Sequence, residues 1–473
     1  MDQKQFTRTL QLDFPYELTG SQEKLLEKLS RFIYQQPEDI FLMKGYAGTG
    51  KTTVISTLVK NLSKIRKNYV LLAPTGRASK VISSYSGTPA YTIHKHLYYP
   101  STDEFGKPKF SLRKNKLKNT LFIVDEASMI SGESTGDGIF DTSSVLSDLI
   151  DFVYSEKGNQ LILVGDAAQL PPVGTALSPA LDKDFLQSHF HRNVQAFELD
   201  EIVRQTLDSG ILFNATKIRE KIFSKSDKKL LFDTYGFKDI VRLIDGYDIQ
   251  DAIEYAYSGE RFDETAIIVR SNKRANLYNQ QIRNKVLLRE SELDAGDYLM
   301  VVKNNYFWLE KNAPAGFIAN GDIIEVLEIF GIKEIYGFKF AEVKVRMLDY
   351  PQQKPFETVL LLDTLNSESP SLTYQEQNKL YQAIHEDYAH LPTKWARYKK
   401  IKSNKYFNAL QVKFSYALTA HKSQGGQWDY VFVEQPYHFD PENIEDLRWL
   451  YTAFTRAKKK LYLIGFREEY FES

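Results

Sequence analysis

Three clusters of residues in this chain have types and spacing suited to polyphosphate chemistry. The first is Gly45-x-x-x-x-Gly50-Lys51-Thr52, which follows the apolar run Phe41-Leu-Met and leads into Val54-Ile-Ser-Thr-Leu-Val. Strand, glycine-rich loop and helix are the context in which this motif cradles phosphate. Gly45, Ala47, Gly48, Thr49, Gly50 and Thr53 let successive backbone N–H groups converge on one anion at a helix N-terminus. Lys51 can reach the terminal phosphates, and the Thr52 hydroxyl is placed to ligate Mg2+.

The second cluster is Asp125-Glu126, at the end of Leu121-Phe-Ile-Val. Four apolar residues read as a fully buried strand with two carboxylates at its C-terminal end. Asp125 can hold the magnesium water shell, while Glu126 can activate the water that attacks a γ-phosphate. That pair makes the chain a hydrolase as well as a nucleotide binder. The third is Leu161-Ile-Leu-Val-Gly165-Asp166 followed by Gln169, whose amide can sense the terminal phosphate.

These groups need a scaffold that brings strand C-termini to one edge. Strands and helices alternate through this first part, which implies a parallel sheet with ligands at that edge. A helix carrying Leu25, Leu26, Leu29, Phe32 and Ile33 is capped by Thr19 or Ser21. Gln22 on it either reads an adenine edge or is an ordinary solvated helix residue. Tyr69-Val-Leu-Leu-Ala73 is a strand ending in Pro74-Thr75-Gly76-Arg77-Ala78, and Thr92-Ile-His94-Lys95 follows. Residues 98–118 read as a polar hairpin with a Gly-centred turn, and 131–145 as a small, polar, mobile loop.

The pattern changes from Phe197. Arg204-Gln205 opens a second unit, and Thr265-Ala-Ile-Ile-Val leads to Asn272. Residues 296–350 are β-rich with short polar turns, as in a small barrel, and 372–405 are helical, ending in the basic run from Lys394 to Lys402. Such a run usually makes a solvated face. Near the end stand Thr419-Ala-His421-Lys422-Ser-Gln-Gly425-Gly426, Trp428, and Tyr451-Thr-Ala-Phe-Thr-Arg456. Trp428 either stacks on a base or packs beneath the strand that follows it.

Composition bounds the rest. With 473 residues the chain needs two to four domains. Lys+Arg and Asp+Glu both number 61, so nucleic-acid contact has to come from a local groove and not from net charge. Cysteine is absent, which excludes disulfides, Cys-ligated zinc and iron–sulfur clusters. The N-terminus lacks the apolar core of a signal peptide, and no run is long enough to span a bilayer. A cytoplasmic protein without membrane contact is expected. The 29 Tyr and 30 Phe are mostly core residues on this reading.

Taken in order, Gly45–Thr52, Pro74–Ala78, Thr92–His94, Asp125–Glu126, Gly165–Gln169, Arg204–Gln205, Thr419–Gly425 and Tyr451–Arg456 resemble the motifs of superfamily 1 helicases. The likeness is greatest to the 5′→3′ branch containing Pif1, RecD and the phage Dda helicase, and it covers residues 18 to 465. It implies an α/β fold of two RecA-like P-loop domains, parallel sheets flanked by helices. The first would carry a small hairpin insertion, and the second an SH3-like β-barrel plus a helical insertion. The expected divisions are 1–195 for the first domain, with a strand-separating pin at 96–118 near Phe105. The second domain would take 196–295 and 406–473, with 296–405 as its insertion.

The resemblance further implies that Gln22 reads adenine and that Lys51, Thr52, Asp125, Glu126, Gln169, Arg204 and Arg456 surround Mg-ATP, with Gly425 nearby. Pro74, Thr75, Arg77, Thr92, His94, Asn272, Thr419, His421 and Lys422 would line a groove for single-stranded DNA. The implied protein is a monomeric ATP-dependent 5′→3′ DNA helicase working at junctions or forks. Two other classes compete. One is a DNA-stimulated ATPase that remodels protein–DNA complexes without unwinding, which the pin-like hairpin disfavours. The other is a P-loop kinase or GTPase switch, disfavoured by the lack of a guanine-reading Asn-Lys-x-Asp element.

Overall fold

A computed structural model of the chain describes residues 1–35, 39–102, 108–132, 144–203, 208–224, 229–257, 264–310 and 313–472. The first sheet is built from β1 (Ile40–Gly45), β2 (Asn68–Ala73), β3 (Ala90–Thr92), β6 (Thr120–Val124), β7 (Gln160–Gly165) and β8 (Val194–Leu199); β4 (Tyr98–Thr102) and β5 (Pro108–Leu112) form a separate antiparallel hairpin. All six sheet strands are parallel, in the order β3-β2-β6-β7-β1-β8.

Parallel strands covered on both faces read as unbroken apolar runs, because either side of the pleat meets a helix. Phe41, Leu121, Ile123 and Ile162 point to one face, where helices Gln3–Leu12, Gly20–Gln35 and Lys51–Leu62 supply Phe6, Leu29 and Leu58. Leu42, Phe122, Val124 and Leu163 point to the other, where Val145–Tyr154 and Lys183–Phe190 supply Leu149 and Leu186. The carboxylate and amide loops of the first domain therefore leave the sheet at its C-terminal edge.

The second sheet uses β9 (Ile240–Leu243), β10 (Thr265–Val269), β16 (Ala417–Thr419), β17 (Trp428–Glu434) and β18 (Ala457–Ile464), parallel in the order β16-β10-β17-β18-β9. Between β10 and β16 the chain makes a closed barrel from β11 (Tyr298–Val301), β12 (Ile323–Ile335), β13 (Phe338–Met347), β14 (Phe356–Leu361) and β15 (Leu410–Phe414). Helices Tyr374–Asp387 and Lys394–Lys402 pack on its outside through Leu380, Ile384 and Ile401 against Phe340 and Leu361.

Two boundaries differ from the sequence expectation. The division at 195/196 falls inside β8, which pairs along its length with β1 and so belongs to the first sheet through Leu199. The insertion does not end at 405, because the barrel closes only when β15 pairs with β11, Leu299 opposite Phe414. Hydrophobic pattern locates strands but not their partners, and here pairing sets the boundary. The hairpin turn with Phe105 and most of the 131–145 loop lie outside the described residues.

A buried ionic cluster joins the barrel to its own sheet. Arg283 grips Asp297 with two bonds of 3.0 and 2.9 Å and also reaches Asp294; Arg289 and the Tyr416 hydroxyl complete the shell of the Asp297 carboxylate. Both Arg283 and Asp297 are buried, so each charge depends on the other for its solvation.

Candidate nucleotide and nucleic-acid sites

The phosphate loop leaves β1 at Gly45 and enters helix Lys51–Leu62. Its curl needs Gly48 and Gly50 at φ +76° and +84°, a region closed to most side chains. A Cβ on Gly50 would lie 2.5 Å from the Gln22 amide nitrogen. Thr49 Oγ1 donates to the Tyr46 carbonyl at 2.8 Å, and Lys51 Nζ to the same carbonyl at 2.9 Å. Lys51 Nζ also lies 3.9 Å from the Asp166 carboxylate.

Gln22 is fully buried. Its Nε2 donates to the Thr49 carbonyl at 3.0 Å, and its Oε1 accepts from the Thr19 N–H at 3.0 Å. It braces the phosphate loop and is not a solvated residue. Reading adenine requires its amide to leave one of these partners.

Asp125 follows β6, and its Oδ1 accepts from the Glu126 N–H at 2.9 Å. Burial, reinforced by the neighbouring Glu126 charge, pushes its carboxyl up to about 7. Glu126 sits at φ +53°, a conformation that costs a non-glycine residue on the order of 1–3 kcal/mol and persists where surrounding structure enforces it. Gln169 is 95 % hidden, with an Oε1 that has no hydrogen-bond partner among the described residues. An orphaned acceptor of that kind is rare in folded proteins and marks a place for a missing polar group. Thr52 and Asp125 offer hard oxygens, the donors Mg2+ prefers. Among the described residues no group of three or more His, Asp or Glu side chains could hold a metal unaided.

The second domain completes this edge with helix Ile444–Phe454. Arg448, Tyr451 and Thr452 are spaced three and four apart, so they share one helix face. That face lies on the loop after β7. Arg448 Nη1 donates to the carbonyls of Ala167 and Gln169, and Thr452 Oγ1 accepts from the Leu170 N–H at 2.9 Å. The Tyr451 hydroxyl accepts from the Ala47 N–H at 2.9 Å and donates to Asp166 at 2.8 Å. Gln424 adds a bond to the Leu170 carbonyl at 2.7 Å. Sequence reasoning missed Arg448 and gave Tyr451, the first residue of the Tyr451–Arg456 motif, no role; the available signal was their helical spacing just ahead of Arg456.

Arg456 itself is buried and faces its own domain. Its guanidinium donates to the carbonyls of Thr452 and Gly426 at 3.0 and 3.2 Å, and to Thr455 Oγ1 at 3.1 Å. Arg204 and Gln205 lie outside the described residues. Gly425, expected near the triphosphate, lies at the contact between the domains. It packs on the helix after β2, where a Cβ would meet Ala78 at 3.0 Å and Thr75 at 3.1 Å, and its φ of +71° needs glycine.

The residues expected to meet DNA are distributed over both domains. Pro74 follows β2. Thr75 and Thr92 are helix N-caps, accepting from Ala78 and Lys95 N–H groups at 3.2 and 3.1 Å. Arg77 stacks on the Trp428 ring at 3.9 Å, and Trp428 is buried in the core of the second domain. Burial pushes His94 down to about 4, against a smaller opposing pull from Asp148, so it is a neutral imidazole at neutral pH. Burial lowers His421 as well, helped by Arg270.

Asn272, Thr419 and Lys422 line one cleft together with Asn276 and Lys413. Lys422 Nζ donates to Asn320 at 2.9 Å, and Asn272 Nδ2 to the Glu368 carbonyl at 3.0 Å. Lys413, on barrel strand β15, went unforeseen; burial and then the charge of Lys422 bring it down to about 8. The barrel also touches the first domain. Lys80 reaches the Leu348 carbonyl at 3.1 Å and Asp349 at 3.4 Å, and Lys95 the Ala315 carbonyl at 3.3 Å. Asp322 is buried against Gly76, where a Cβ would collide with its carboxylate, and its Oδ1 has no partner among the described residues.

One RecA-like sheet with a phosphate loop, closed along its ligand edge by a helix from a second such sheet, defines a two-domain P-loop NTPase of the helicase type. Residues 17–225 match the family model of an AAA domain, and 414–464 that of a UvrD-like helicase C-terminal domain. The ATP-dependent DNA helicase dda of Enterobacteria phage T4 is 22 % identical over 95 % of this chain and 99 % of its own length. An uncharacterized protein of Methanocaldococcus jannaschii is 26 % identical over 89 % of this chain, which spans 36 % of that longer protein. The Pif1 helicase from Bacteroides, solved with ADP-AlF3 and ssDNA, shares the fold at a TM-score of 0.50 and 16 % identity, covering 97 % of this chain and 95 % of that one. Over nearly its whole length the chain is thus similar to an ATP-dependent DNA helicase, and it shares its fold with a Pif1 helicase. Among the described residues, no helix is long and apolar enough to cross a membrane.

Proposed function

We propose that this chain, an ATP-dependent DNA helicase, moves 5′→3′ along single-stranded DNA and opens duplexes at junctions or forks. The observation that carries the coupling is the cleft itself: bonds from helix Ile444–Phe454 reach the phosphate loop and the β7 loop of the other domain. Nucleotide entering that cleft has to change the same contacts that set the spacing of the two domains. Groove residues sit on both domains, so a change in spacing moves one grip relative to the other.

Lys51 binds the terminal phosphates, and Glu126 takes the proton of the attacking water. Gln169 orients that water through its unpaired Oε1. Arg204 and Arg456 stabilise charge in the transition state, worth about 10³–10⁵ in related NTPases. Arg456 must first release its carbonyl partners, so hydrolysis waits on rearrangement of its helix. Thr52 and Asp125 would hold Mg2+, which supplies charge neutralisation across the phosphates. Gln22 contacts adenine after leaving Thr49. Pro74, Thr75, Arg77, Thr92, His94, Asn272, Thr419, His421 and Lys422 grip the DNA backbone, a set of hydroxyls, amides and cations with few readers of base edges. The protein acts as a monomer in the cytoplasm.

Strand displacement on matched 5′-tailed and 3′-tailed duplexes, with ATP, tests this reading. Unwinding of the 5′-tailed substrate is expected. Unwinding confined to the 3′-tailed one overturns the polarity, and DNA-stimulated hydrolysis with no unwinding replaces the helicase by a remodelling ATPase.

A further inference from the structure

Tyr451 carries a hydroxyl that packing alone does not explain. Its ring is fully buried in the core of the second domain, where phenylalanine would pack as well. The hydroxyl instead crosses to the first domain, where it accepts from Ala47 N–H and donates to Asp166. Asp166 in turn faces Lys51. The series Ala47–Tyr451–Asp166–Lys51 thus begins at an amide of the phosphate loop and ends at its lysine.

Both termini of that series are donors that a phosphate loop presents to an anion. Here the phenol oxygen takes the amide, while the Asp166 carboxylate and the Tyr46 carbonyl face the lysine. Burial raises the phenol well above its usual range, so it stays a neutral group that can donate and accept at once.

We infer that Tyr451 is a positioning residue that reports occupancy of the phosphate loop: its hydroxyl holds Ala47 N–H when no terminal phosphate is there, and a bound terminal phosphate displaces it. Displacement works on the whole helix face. Arg448 and Thr452 neighbour Tyr451 on it, so a shift of the tyrosine loads their bonds to the β7 loop beside Gln169. The terminal phosphate is thereby read by the second domain before any arginine reaches it. This rests on the ATPase reading above, but it is tested by binding, so the two fail separately.

The test is equilibrium titration of Tyr451→Phe with a non-hydrolysable ATP analogue and with ADP. Removing the competing hydroxyl should tighten the triphosphate about threefold to tenfold, the worth of one hydrogen bond, and ADP less. Where turnover is measurable, KM for ATP falls in parallel and hydrolysis without DNA rises, so stimulation by DNA shrinks. Tyr462→Phe, which alters a ring stacked on Phe432 in the same sheet, should change none of these. Equal affinities of Tyr451→Phe and wild type, or the same shift in Tyr462→Phe, overturn the assignment. A readout on the unmutated protein stands beside these: the Ala47 amide should exchange slowly with solvent before nucleotide is added, and exchange at the rate of an unprotected amide overturns the inference.

Discussion

The second half of the chain meets the first at two faces built on different principles. At the nucleotide face, Arg448, Tyr451, Thr452 and Gln424 make short bonds mostly to backbone atoms of the phosphate and β7 loops. At the groove face, long lysines of the first domain reach the barrel: Lys80 meets the Leu348 carbonyl and Asp349, and Lys95 meets the Ala315 carbonyl. Backbone bonds of fixed direction are satisfied in one arrangement and broken in others, which makes a switch. Lysine side chains, long and rotatable, tolerate exchange of one acceptor for another. The contrast separates commitment from mobility.

The comparison breaks first at the nucleotide face. Lys51→Ala should abolish measurable ATP hydrolysis while single-stranded DNA binding stays largely intact; joint loss of both would mean the faces are one site. Next, Glu126→Gln should bind ATP normally and hydrolyse it about 10²–10⁴-fold more slowly, the usual worth of a general base. A near-normal rate removes Glu126 from that role. At the groove face the effects are smaller and salt-dependent. Lys422→Ala should weaken single-stranded DNA uniformly across sequences and reduce the slope of log K against log salt by about one. A sequence-dependent loss would contradict a backbone grip.

The smallest effect sharpens the comparison through pH. Burial, and then Asp349, raise the Asp322 carboxyl well above its usual value. The folded protein therefore holds that proton more tightly than the unfolded chain, so stability is greatest below the unfolded value near pH 4 and falls as pH rises toward the folded one. Asp322→Asn should flatten this dependence and stabilise the protein at pH 8 by roughly 1–3 kcal/mol, the order of one buried unpaired polar group. Thermal melts from pH 4 to 8 measure it, and an unchanged pH slope would show that the carboxylate is compensated.

The nucleotide half was legible in the sequence because its signals are local. Gly45–Thr52 and Leu121–Glu126 place chemistry at the ends of short apolar runs, and parallel strands buried on both faces announce themselves as such. The particular bonds between the domains were not legible, since their partners are remote: Ala47 and Tyr451 are 404 residues apart, and Arg448 lies 279 residues from the carbonyl of Gln169. Gln22 shows a subtler limit. The solvated reading assumed an outward side chain, whereas the helix turns it inward against the phosphate loop. Asp322 gave no signal either, because nothing local says that a barrel loop will lie on Gly76.

The Arg283–Asp297–Arg289 cluster at the base of the barrel has a mechanical consequence. Separating those charges would strand a buried carboxylate, at a cost of about 3–5 kcal/mol, so the barrel cannot easily pivot on its own sheet. It behaves as a stiff lever arm fixed to the second domain.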